Sequence, residues 1–545
     1  MANQIENKNI PIKDNAKLPS SMPFIIGNEL AERFSFYGMK AILTTFLVSQ
    51  FFNPTMNPAL QSVAEAQANE KTHLFISFAY LLPILGGIVA DWFWGKYNTI
   101  LYISLLYCFG HAGLAYFDTN LNGFLFSLLL IAIGAGGIKP CVSANLGDQF
   151  DKTNAHLISR GYEMFYFSIN LGSFVSTLLI PVLLQQYGPA LAFGVPGILM
   201  GLATFIFWLG RKRYTIAPPS GFKNEEFYNI NFYALLNMNP TREERLVKSP
   251  LLLMSPIITG FVLFIIALIF DFKLINNPFV ILLPVSGMLV FFTIIGIASL
   301  VKRMQGKKFY DVALKRYSQE QIDGIKAVWN IFGVFAFIPF FWALYDQNGS
   351  EWVLQVSYMD TMFLGINWLP QQVQAINPIL ILVLIPLFSI LIFPGLQKLG
   401  IKVTPLRKIT VGFFIAAFSF IVIALIQESI DAGGRPNIVW QLLAFFILTV
   451  AEVLISITGL EYAYTKAPKT MKSVIMSFWL LTVSIGNILV TIINNSKANH
   501  GFFERLEGAS YYWFFVGVIV VTGIAFMIMA IRHKDTQGPG EEPVA

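Results

Sequence analysis

Apolar residues occur in long continuous blocks along this chain, with short polar segments between them; Phe124–Gly134, Leu251–Phe270 and Tyr511–Ile531 are examples. About 20 helical residues cross a hydrocarbon core of about 30 Å, and in lipid the backbone polar groups must be satisfied internally. The blocks therefore predict membrane-spanning α-helices. Strands of a membrane β-barrel alternate apolar and polar residues, which these blocks do not do.

The pattern predicts fourteen spans, and hence an all-α polytopic membrane protein. The spans cover residues 22–52, 73–94, 99–117, 123–146, 162–185, 190–210, 250–270, 278–301, 325–347, 374–396, 407–428, 438–466, 472–495 and 509–532.

The two longest polar stretches divide these spans into groups of six, two and six. This grouping predicts two six-helix bundles with two extra transmembrane helices between them, as in transporters built from parallel repeats. The expected segments are a cytoplasmic N-terminal tail (1–21), an N-terminal bundle (22–210), a cytoplasmic linker (211–249), the two extra helices (250–301), a second linker (302–324), a C-terminal bundle (325–532) and a cytoplasmic C-terminal tail (533–545).

Composition agrees with a membrane protein, because only 12% of the residues are charged and the mean hydropathy is +0.62. The net charge of +6 is spread over short loops, which does not favour nucleic-acid binding. If the N-terminus is cytoplasmic, most of the 37 Lys and Arg residues lie on the cytoplasmic side. The opposite loops then hold five, namely Lys71, Lys273, Arg435, Lys497 and Arg505. By the positive-inside rule, we expect both termini to lie in the cytoplasm. The expected location of the protein is the inner membrane of the cell.

The remaining compositional features argue against other classes. The first twenty residues are polar, so we expect no removable signal peptide. Cys108 and Cys141 lie in apolar surroundings and are expected to be free thiols. No metal-binding spacing, nucleophile motif or nucleotide loop is apparent, so we expect neither an enzyme nor a cofactor.

A few ionisable residues fall inside the spans, where each costs at least about 2.5–3.5 kcal/mol to insert. Glu29, Glu32 and Arg33 are three or four residues apart and should share one helix face. Lys139 in the fourth span is the obvious cation to neutralise this net-anionic cluster. The cluster is either a proton-sensitive unit or a static ion network that fixes helix packing.

Further ionisable residues are predicted in both halves. Lys40 and Asp346 are both expected near the outer ends of their spans, where they could form a mobile gate or a static tie. Glu452 lies inside the twelfth span and faces either a cavity or a neighbouring helix. Cations in the first half and carboxylates in the second would suit a zwitterion, whereas a nitrate carrier would not need Glu452.

The segment Gly87–Lys96 contains Asp91 one turn after Gly87, followed by Gly95 and a cationic residue. It resembles the signature loop of the major facilitator superfamily. An ordinary helix end with a glycine turn gives the same pattern.

Several multi-residue motifs, in order from about residue 22 to 532, resemble those of the proton-dependent oligopeptide transporter family within that superfamily. The segment Glu29–Gly38 matches its ExxERFxxYG element. The other matching segments are Gly134–Cys141 with Gly147–Phe150, Phe165–Ser173, Phe341–Gln347 and the run from Glu452 to Trp479. The two extra spans resemble those of bacterial members.

The resemblance implies a role for each candidate residue. Glu29, Glu32, Arg33 and Lys139 would form the proton-coupling network, and His73 resembles a histidine used for coupling in animal members; a buried hydrogen-bonding role for His73 is the alternative. Arg33 and Lys139 would also bind the peptide carboxylate, and Glu452, assisted by Ser456, would bind the amino terminus. The other substrate-binding residues implied are Tyr37, Lys40, Tyr80, Tyr166, Asn170, Trp342, Asn377 and Trp479, and Lys40 with Asp346 would form the outer gate.

Two positions depart from the family pattern. Lys40 stands where many relatives have Arg, so a bidentate contact with Asp346 is not available. Phe36 stands where Tyr is common, so one pocket hydroxyl is absent.

The resemblance implies a proton-coupled symporter that imports di- and tripeptides by alternating access. A same-fold transporter of another solute, such as nitrate or a peptide-like drug, is the alternative. The expected partners are peptides, protons as the coupling ion and membrane lipid, with no nucleic acid, and the expected oligomeric state is a monomer.

Overall fold

The computed structural model describes residues 17–151, 153–219, 226–237, 310–466, 468 and 471–532, and these residues are almost entirely helical. In chain order the α-helices are α1 (Met22–Phe46), α2 (Gln61–Val89), α3 (Gly95–Tyr116), α4 (Leu121–Gly147), α5 (Ile158–Tyr187), α6 (Pro189–Leu209), α7 (Glu226–Asn237), α8 (Gln319–Phe335), α9 (Ile338–Tyr345), α10 (Glu351–Val356), α11 (Ile376–Pro386), α12 (Phe393–Lys398), α13 (Pro405–Asp431), α14 (Val439–Glu452), α15 (Thr458–Lys466), α16 (Lys472–Ala498) and α17 (Ala509–Arg532).

Short helical turns of other types extend or join these helices. The π-helical turns are Leu47–Phe52, Ala90–Trp94, Leu387–Ile392 and Val453–Ile457. The 3₁₀ turns are Pro58–Leu60, Ala155–Leu157, Gly210–Lys212, Ala313–Lys315, Asp346–Gly349, Pro370–Ala375 and Phe502–Arg505. The strands within the described residues are β1 (Met362–Phe363) and β2 (Ile366–Asn367). They have two residues each and pair in an antiparallel hairpin.

Nine helical segments within the described ranges are long and apolar enough to cross a membrane. A tenth is added if α8 and its continuation Ile338–Val356, bent by 43°, form one span. α1, which carries Glu29, Glu32, Arg33 and Lys40, is not among them. The helices follow the predicted spans closely, except for spans 250–270 and 278–301, which lie outside the described residues.

Local sequence signals account for the helix ends. Ser318 begins α8 through a capping box, because its hydroxyl accepts from the Gln321 N–H while the Gln321 side chain accepts from the Ser318 N–H. Gly188 has φ 82°, a value that glycine adopts without strain, and the following Pro189 begins α6. Short connections of this kind keep successive spans adjacent.

One predicted helix boundary was wrong. The second span was predicted to begin at residue 73, but α2 begins at Gln61, so Lys71 lies within a helix and pairs with Glu70 at 2.8 Å. A hydropathy pattern detects the apolar part of a helix and misses a polar extension of the same helix. The helix α7 lies within the predicted linker 211–249, and the cytoplasmic position of that linker stays a prediction.

The described chain forms two compact units. The first comprises Met1–Met39 and Leu82–Gly221, and the second comprises Lys40–Leu81 and Phe222–Ala545. α1 and α2 each contribute one part to each unit. The second unit therefore contains the end of α1 and the longer, first part of α2 together with the helices of the second half.

Glycines allow close helix packing in the first unit. A Cβ atom on Gly86 of α2 would lie 2.5 Å from the Gly137 Cα of α4, and one on Gly134 would lie 2.5 Å from the Tyr107 Cβ of α3. Small residues at such positions let membrane helices approach to backbone contact. The glycine-rich part of α4 is thereby fixed against α2 and α3.

Aromatic residues fill the core of the second unit. Trp352 of α10 is fully buried, and its ring packs perpendicular to that of Phe445 of α14, with centroids 5.0 Å apart. α13 packs against α14 and α17, and α9 packs against α16. This core holds the polar residues of α9, α11, α14 and α16 in defined positions.

The loop between α10 and α11 is tied to the start of α14. Asp360 accepts hydrogen bonds from the Met362 N–H at 3.1 Å and from Asn437 Nδ2 at 2.9 Å. These two donors lower the pKa of Asp360. The hairpin β1–β2 begins directly after this contact.

Candidate functional site

The first half of α1 carries a compact charged cluster, formed by Glu29, Glu32 and Arg33. Arg33 Nε lies 2.7 Å from Glu29 Oε1 and 3.2 Å from Glu32 Oε2, and both glutamates are 1% exposed. The spacing of three and four residues places them on one helix face, as the sequence predicts. Two buried carboxylates thus share one guanidinium.

Lys139 of α4 lies beside this cluster. Its charge acts on Glu29, and its Nζ atom lies 4.0 Å from the ring centroid of Phe36. Lys139 follows the glycine-rich contact at Gly136 and Gly137 by one turn or less, so the packing of α4 sets its position. The structure therefore brings together four of the five residues predicted to couple protons, whereas the fifth, His73, belongs to the second unit. The coupling role of all five stays a prediction.

Three predicted pocket residues belong to the same unit. The Tyr37 ring is perpendicular to that of Phe36, with centroids 5.5 Å apart. On α5, Asn170 Nδ2 donates to the Tyr166 carbonyl at 2.9 Å, and the Tyr166 side chain is 41% exposed. The Tyr166 side chain is thus partly exposed, whereas the Asn170 amide is engaged by its own helix.

In the second unit, Lys40 and Asp346 form an ion pair, with Lys40 Nζ 3.1 Å from Asp346 Oδ1. Both residues are largely buried. The pairing predicted from the sequence is present, and whether it acts as a gate stays a prediction.

A hydrogen-bond chain continues from this ion pair to His73. Asn487 Nδ2 donates to Asp346 Oδ2 at 2.7 Å, and Asn487 Oδ1 lies 2.7 Å from His73 Nδ1. His73 Nε2 lies 2.9 Å from the Ser350 hydroxyl. Neither Asn487 nor Ser350 was assigned a role from the sequence, because an uncharged polar residue does not stand out in an apolar span.

The geometry of Asn487 fixes the tautomer of neutral His73. Because the Asn487 amide nitrogen donates to Asp346 and to the Val483 carbonyl, its oxygen faces His73 Nδ1. An amide oxygen only accepts, so Nδ1 carries the proton and Nε2 accepts from Ser350. Both ring nitrogens of this buried histidine are therefore satisfied by neutral groups.

Glu452 is the central residue of a second polar group. Asn377 Nδ2 donates to Glu452 Oε2 at 2.9 Å and to Thr449 Oγ1 at 3.1 Å. The Tyr345 hydroxyl donates to Asn377 Oδ1 at 3.3 Å. Thus the predicted binding residues Glu452 and Asn377 are direct partners, and Ser456 lies about one turn beyond Glu452 in the π-helical turn Val453–Ile457.

Aromatic residues of the second unit include the predicted pocket walls. The rings of Trp342 and Trp479 are perpendicular, with centroids 6.1 Å apart, and Trp479 also packs on Phe335. Tyr80 packs against the same apolar core. The contact of these three residues with a substrate stays a prediction.

The predicted signature loop has defined contacts in the first unit. Gly95 has φ 75°, which explains the glycine, and Lys96 Nζ lies 2.7 Å from Asp148 Oδ2. Gln149 makes two hydrogen bonds with the backbone of Thr215. Its Oε1 atom accepts from the Thr215 N–H at 2.9 Å, and its Nε2 atom donates to the Thr215 carbonyl at 3.2 Å. Asp148 and Gln149 belong to the second family-like motif, and their contacts join the end of α4 to the segments after α2 and α6.

Comparison with known proteins identifies the family. The family model PTR2, described as the POT family, matches residues 97–503. Solute carrier family 15 member 2 of Mus musculus is 33% identical over 468 residues, which cover 83% of this chain and 55% of that protein. Peptide transporter family 1 of Drosophila melanogaster is 32% identical over 430 residues, which cover 76% of this chain and 48% of that protein. The chain thus spans about half the length of the curated relatives it matches.

Solved structures agree with this assignment. The POT family transporter PepTSo is 39% identical with a TM-score of 0.82, covering 95% of this chain and 99% of that one. An auto-inhibited POT family peptide transporter is 35% identical with the same TM-score, covering 95% and 98%. The predictions of an all-α polytopic fold of the major facilitator type and of the family are confirmed. The chain belongs to the POT family of multi-pass membrane transporters.

Proposed function

We propose that the protein is a proton-coupled symporter that imports di- and tripeptides by alternating access. The Drosophila relative and the 35% identical structure are both named peptide transporters. The buried carboxylate cluster on α1 is the observation on which the proton coupling rests.

The cluster offers a physical route to coupling. Arg33 contacts both Glu29 and Glu32, so protonation of one carboxylate removes one of its ion pairs. The guanidinium then has free donors for another anion, such as a peptide carboxylate. Lys139 lies next to the cluster and is the second cation proposed to bind that carboxylate. Proton and cargo are coupled if both favour the inward-facing state.

Glu452 is proposed to bind the peptide amino terminus. Its Oε2 atom accepts a hydrogen bond from Asn377, whose neutral amide adds no positive charge that would compete with the amino terminus. Ser456 is proposed to assist, while Tyr37, Tyr80, Tyr166, Asn170, Trp342 and Trp479 are proposed to contact the backbone and side chains. Both termini are common to all short peptides, so a site of this kind should accept many sequences.

The ion pair of Lys40 with Asp346 is proposed to close the outer side of the transporter, and His73 is proposed to take part in coupling through Asn487. We further propose that both termini lie in the cytoplasm, that the protein resides in the inner membrane as a monomer in lipid, and that protons are its coupling ion with no cofactor.

Competition experiments test the proposed cargo. Uptake of labelled dialanine into proteoliposomes should be inhibited by unlabelled di- and tripeptides and unaffected by nitrate. In a Glu452→Gln variant, binding of dialanine should weaken by on the order of tenfold or more, because a charged contact to the amino terminus is lost. N-acetyl-dialanine, which lacks that charge, should bind both proteins equally.

Two results would contradict this proposal. Inhibition by nitrate but not by peptides would indicate the alternative cargo. Equal weakening for dialanine and its N-acetyl form would show that Glu452 does not bind the amino terminus. Glu461→Gln is the matched control, because Glu461 is an exposed carboxylate of the same half that pairs with Lys408 at 3.6 Å.

A further inference from the structure

The helix α7, which precedes α8 in the chain, buries one of its faces within the second unit. Phe227 is 5% exposed, and Ile230 and Ala234 are fully buried. These positions are three or four residues apart and so share one face of the helix, whereas Phe232, on another face, is 61% exposed. The buried face belongs to the same apolar core as α8 and α16. The helix α7 is therefore part of the packing of the second unit.

Hydrogen bonds fix α7 against α8. The Tyr310 hydroxyl donates to Asn231 Oδ1 at 2.8 Å. The indole N–H of Trp329 lies 3.1 Å from the Tyr310 oxygen and 3.3 Å from Asn231 Oδ1. Because Asn231 Nδ2 donates to the Phe227 carbonyl at 2.7 Å, its oxygen is turned toward the other two groups. The Trp329 ring of α8 is thus held at both its polar and its apolar edges.

Phe227 completes an aromatic cluster between α8 and α16. Its ring centroid lies 5.9 Å from that of Trp329, 6.1 Å from that of Phe332 and 6.3 Å from that of Phe478. The rings of Phe332 on α8 and Phe478 on α16 are themselves 3.8 Å apart. All three distances from Phe227 fall in the range of favourable aromatic contacts. Phe227 therefore contacts both helices at a point where they meet.

A predicted pocket wall lies at the next contact of the same two helices. Phe335 follows Phe332 by three residues on α8, and Trp479 follows Phe478 directly on α16. The rings of Phe335 and Trp479 are 5.3 Å apart, and Trp479 is 6% exposed. Close-packed side chains pass on small displacements, because little free space absorbs them. The position of the Trp479 ring thus depends on how α8 and α16 meet beside Phe227.

We propose that Phe227 is a positioning residue, which sets the place of the Trp479 ring and thereby the preference of the site for the side chains of its cargo. This proposal rests on the proposed peptide transport, in which Trp479 contacts the peptide. Removing the Phe227 ring leaves a cavity beside Phe332 and Phe478, into which the surrounding side chains relax only partly. The Trp479 ring then loses its fixed position. A bulky peptide side chain loses more contact with it than a methyl group does.

Comparison of two dipeptides in proteoliposomes tests this role. Phe227→Ala should raise the inhibition constant of alanyl-tryptophan against labelled dialanine by about fivefold, while KM for dialanine stays within about twofold. Phe227→Leu keeps an apolar side chain and should give a smaller change in the same direction. It carries the test if the alanine variant does not fold. Phe232→Ala removes an exposed phenylalanine from the same helix and should change neither constant.

A second variant distinguishes positioning from general destabilisation. If Phe227 acts through Trp479, Phe227→Ala should no longer change the ratio of the two constants in a Trp479→Ala protein, since no ring remains to be displaced. The same change of ratio with and without Trp479, or an equal rise of both constants, would overturn the role of Phe227 alone. A wild-type protein that does not take up dialanine would refute the proposed function and this inference with it.

Discussion

At the scale of single residues, the α1 cluster is the part of the molecule whose geometry constrains function most. Arg33 contacts two carboxylates that are each 1% exposed. Placing two like charges in a buried site is unfavourable unless a counter-charge or a proton compensates. Lys139 adds a second cation nearby. A static network would be indifferent to protons, so the two interpretations differ in an observable way.

A Glu32→Gln variant distinguishes them. The amide keeps the size of the side chain but cannot gain or lose a proton, so we expect proton-driven accumulation of dialanine to disappear. Counterflow exchange, which needs no net proton movement, should continue at more than about a tenth of the wild-type rate, a loss of under about 1.4 kcal/mol. Both are measured in the same proteoliposomes. Undiminished accumulation would show that Glu32 serves packing only.

The residues that carry charge could be predicted from the sequence, because an ionisable group in an apolar span has few explanations. Their neutral partners could not. Asn487, Ser350 and Thr449 each bind a predicted residue, yet uncharged polar groups are common in such helices and do not stand out. Asn377 was predicted as a substrate contact through the family resemblance, and the structure adds that it binds Glu452 directly.

At the scale of helices, close packing between α2 and α4 sets the position of Lys139. Two neighbouring glycines of α2 differ sharply in their surroundings. A Cβ atom on Gly86 would meet the Gly137 Cα at 2.5 Å and the Gly136 carbonyl at 2.8 Å, whereas one on Gly87 would meet nothing within 4 Å. Gly86 therefore permits the helix contact and Gly87 does not take part in it.

We accordingly expect Gly86→Ala to destabilise the protein by about 1–3 kcal/mol, because backbone atoms of α4 cannot move aside without repacking. Gly87→Ala should be neutral or slightly stabilising, since alanine favours helix more than glycine does. Apparent unfolding temperatures of the two variants in detergent measure the difference. Equal temperatures would show that the helices do not meet at Gly86.

The ion pair between Lys40 and Asp346 joins α1 to the 3₁₀ turn after α9 within the second unit. As a static tie it contributes to stability alone, and as a gate it also limits the rate of opening. Lysine makes a single contact here, at 3.1 Å, where arginine would offer two parallel donors.

We expect Lys40→Gln and Asp346→Asn each to alter the exchange rate of dialanine, and the double variant to depart from additivity by about 0.5–3 kcal/mol. Lys96 and Asp148, a more exposed pair at 2.7 Å, provide the control cycle and should couple by less than about 1 kcal/mol. A change in unfolding temperature without a change in exchange rate would identify a static tie.

At the scale of the whole molecule, the order of the helices within the described ranges was predictable, because lipid requires every span to be long and apolar. The helices α3, α13, α16 and α17, for example, agree with the predicted spans to within a few residues. Hydropathy carries no information about which helices pack together. The assignment of Lys40–Leu81 to the second unit, and the helical extension at Gln61, could therefore not be predicted.

The proposed function is also a property of the whole molecule, because neither a proton site nor a peptide site alone produces accumulation. The clusters around Arg33 and Glu452 must be linked through a common conformational change. A transporter with two unlinked sites would only equilibrate its cargo, whereas a linked pair uses the proton gradient to concentrate it.

Uptake of labelled dialanine into proteoliposomes, with and without an inward proton gradient, tests that linkage most directly. The account predicts accumulation above the external concentration when the gradient is present, and its collapse when a protonophore is added. Equilibration to the external concentration, regardless of the gradient, would contradict proton-coupled symport and leave a facilitator.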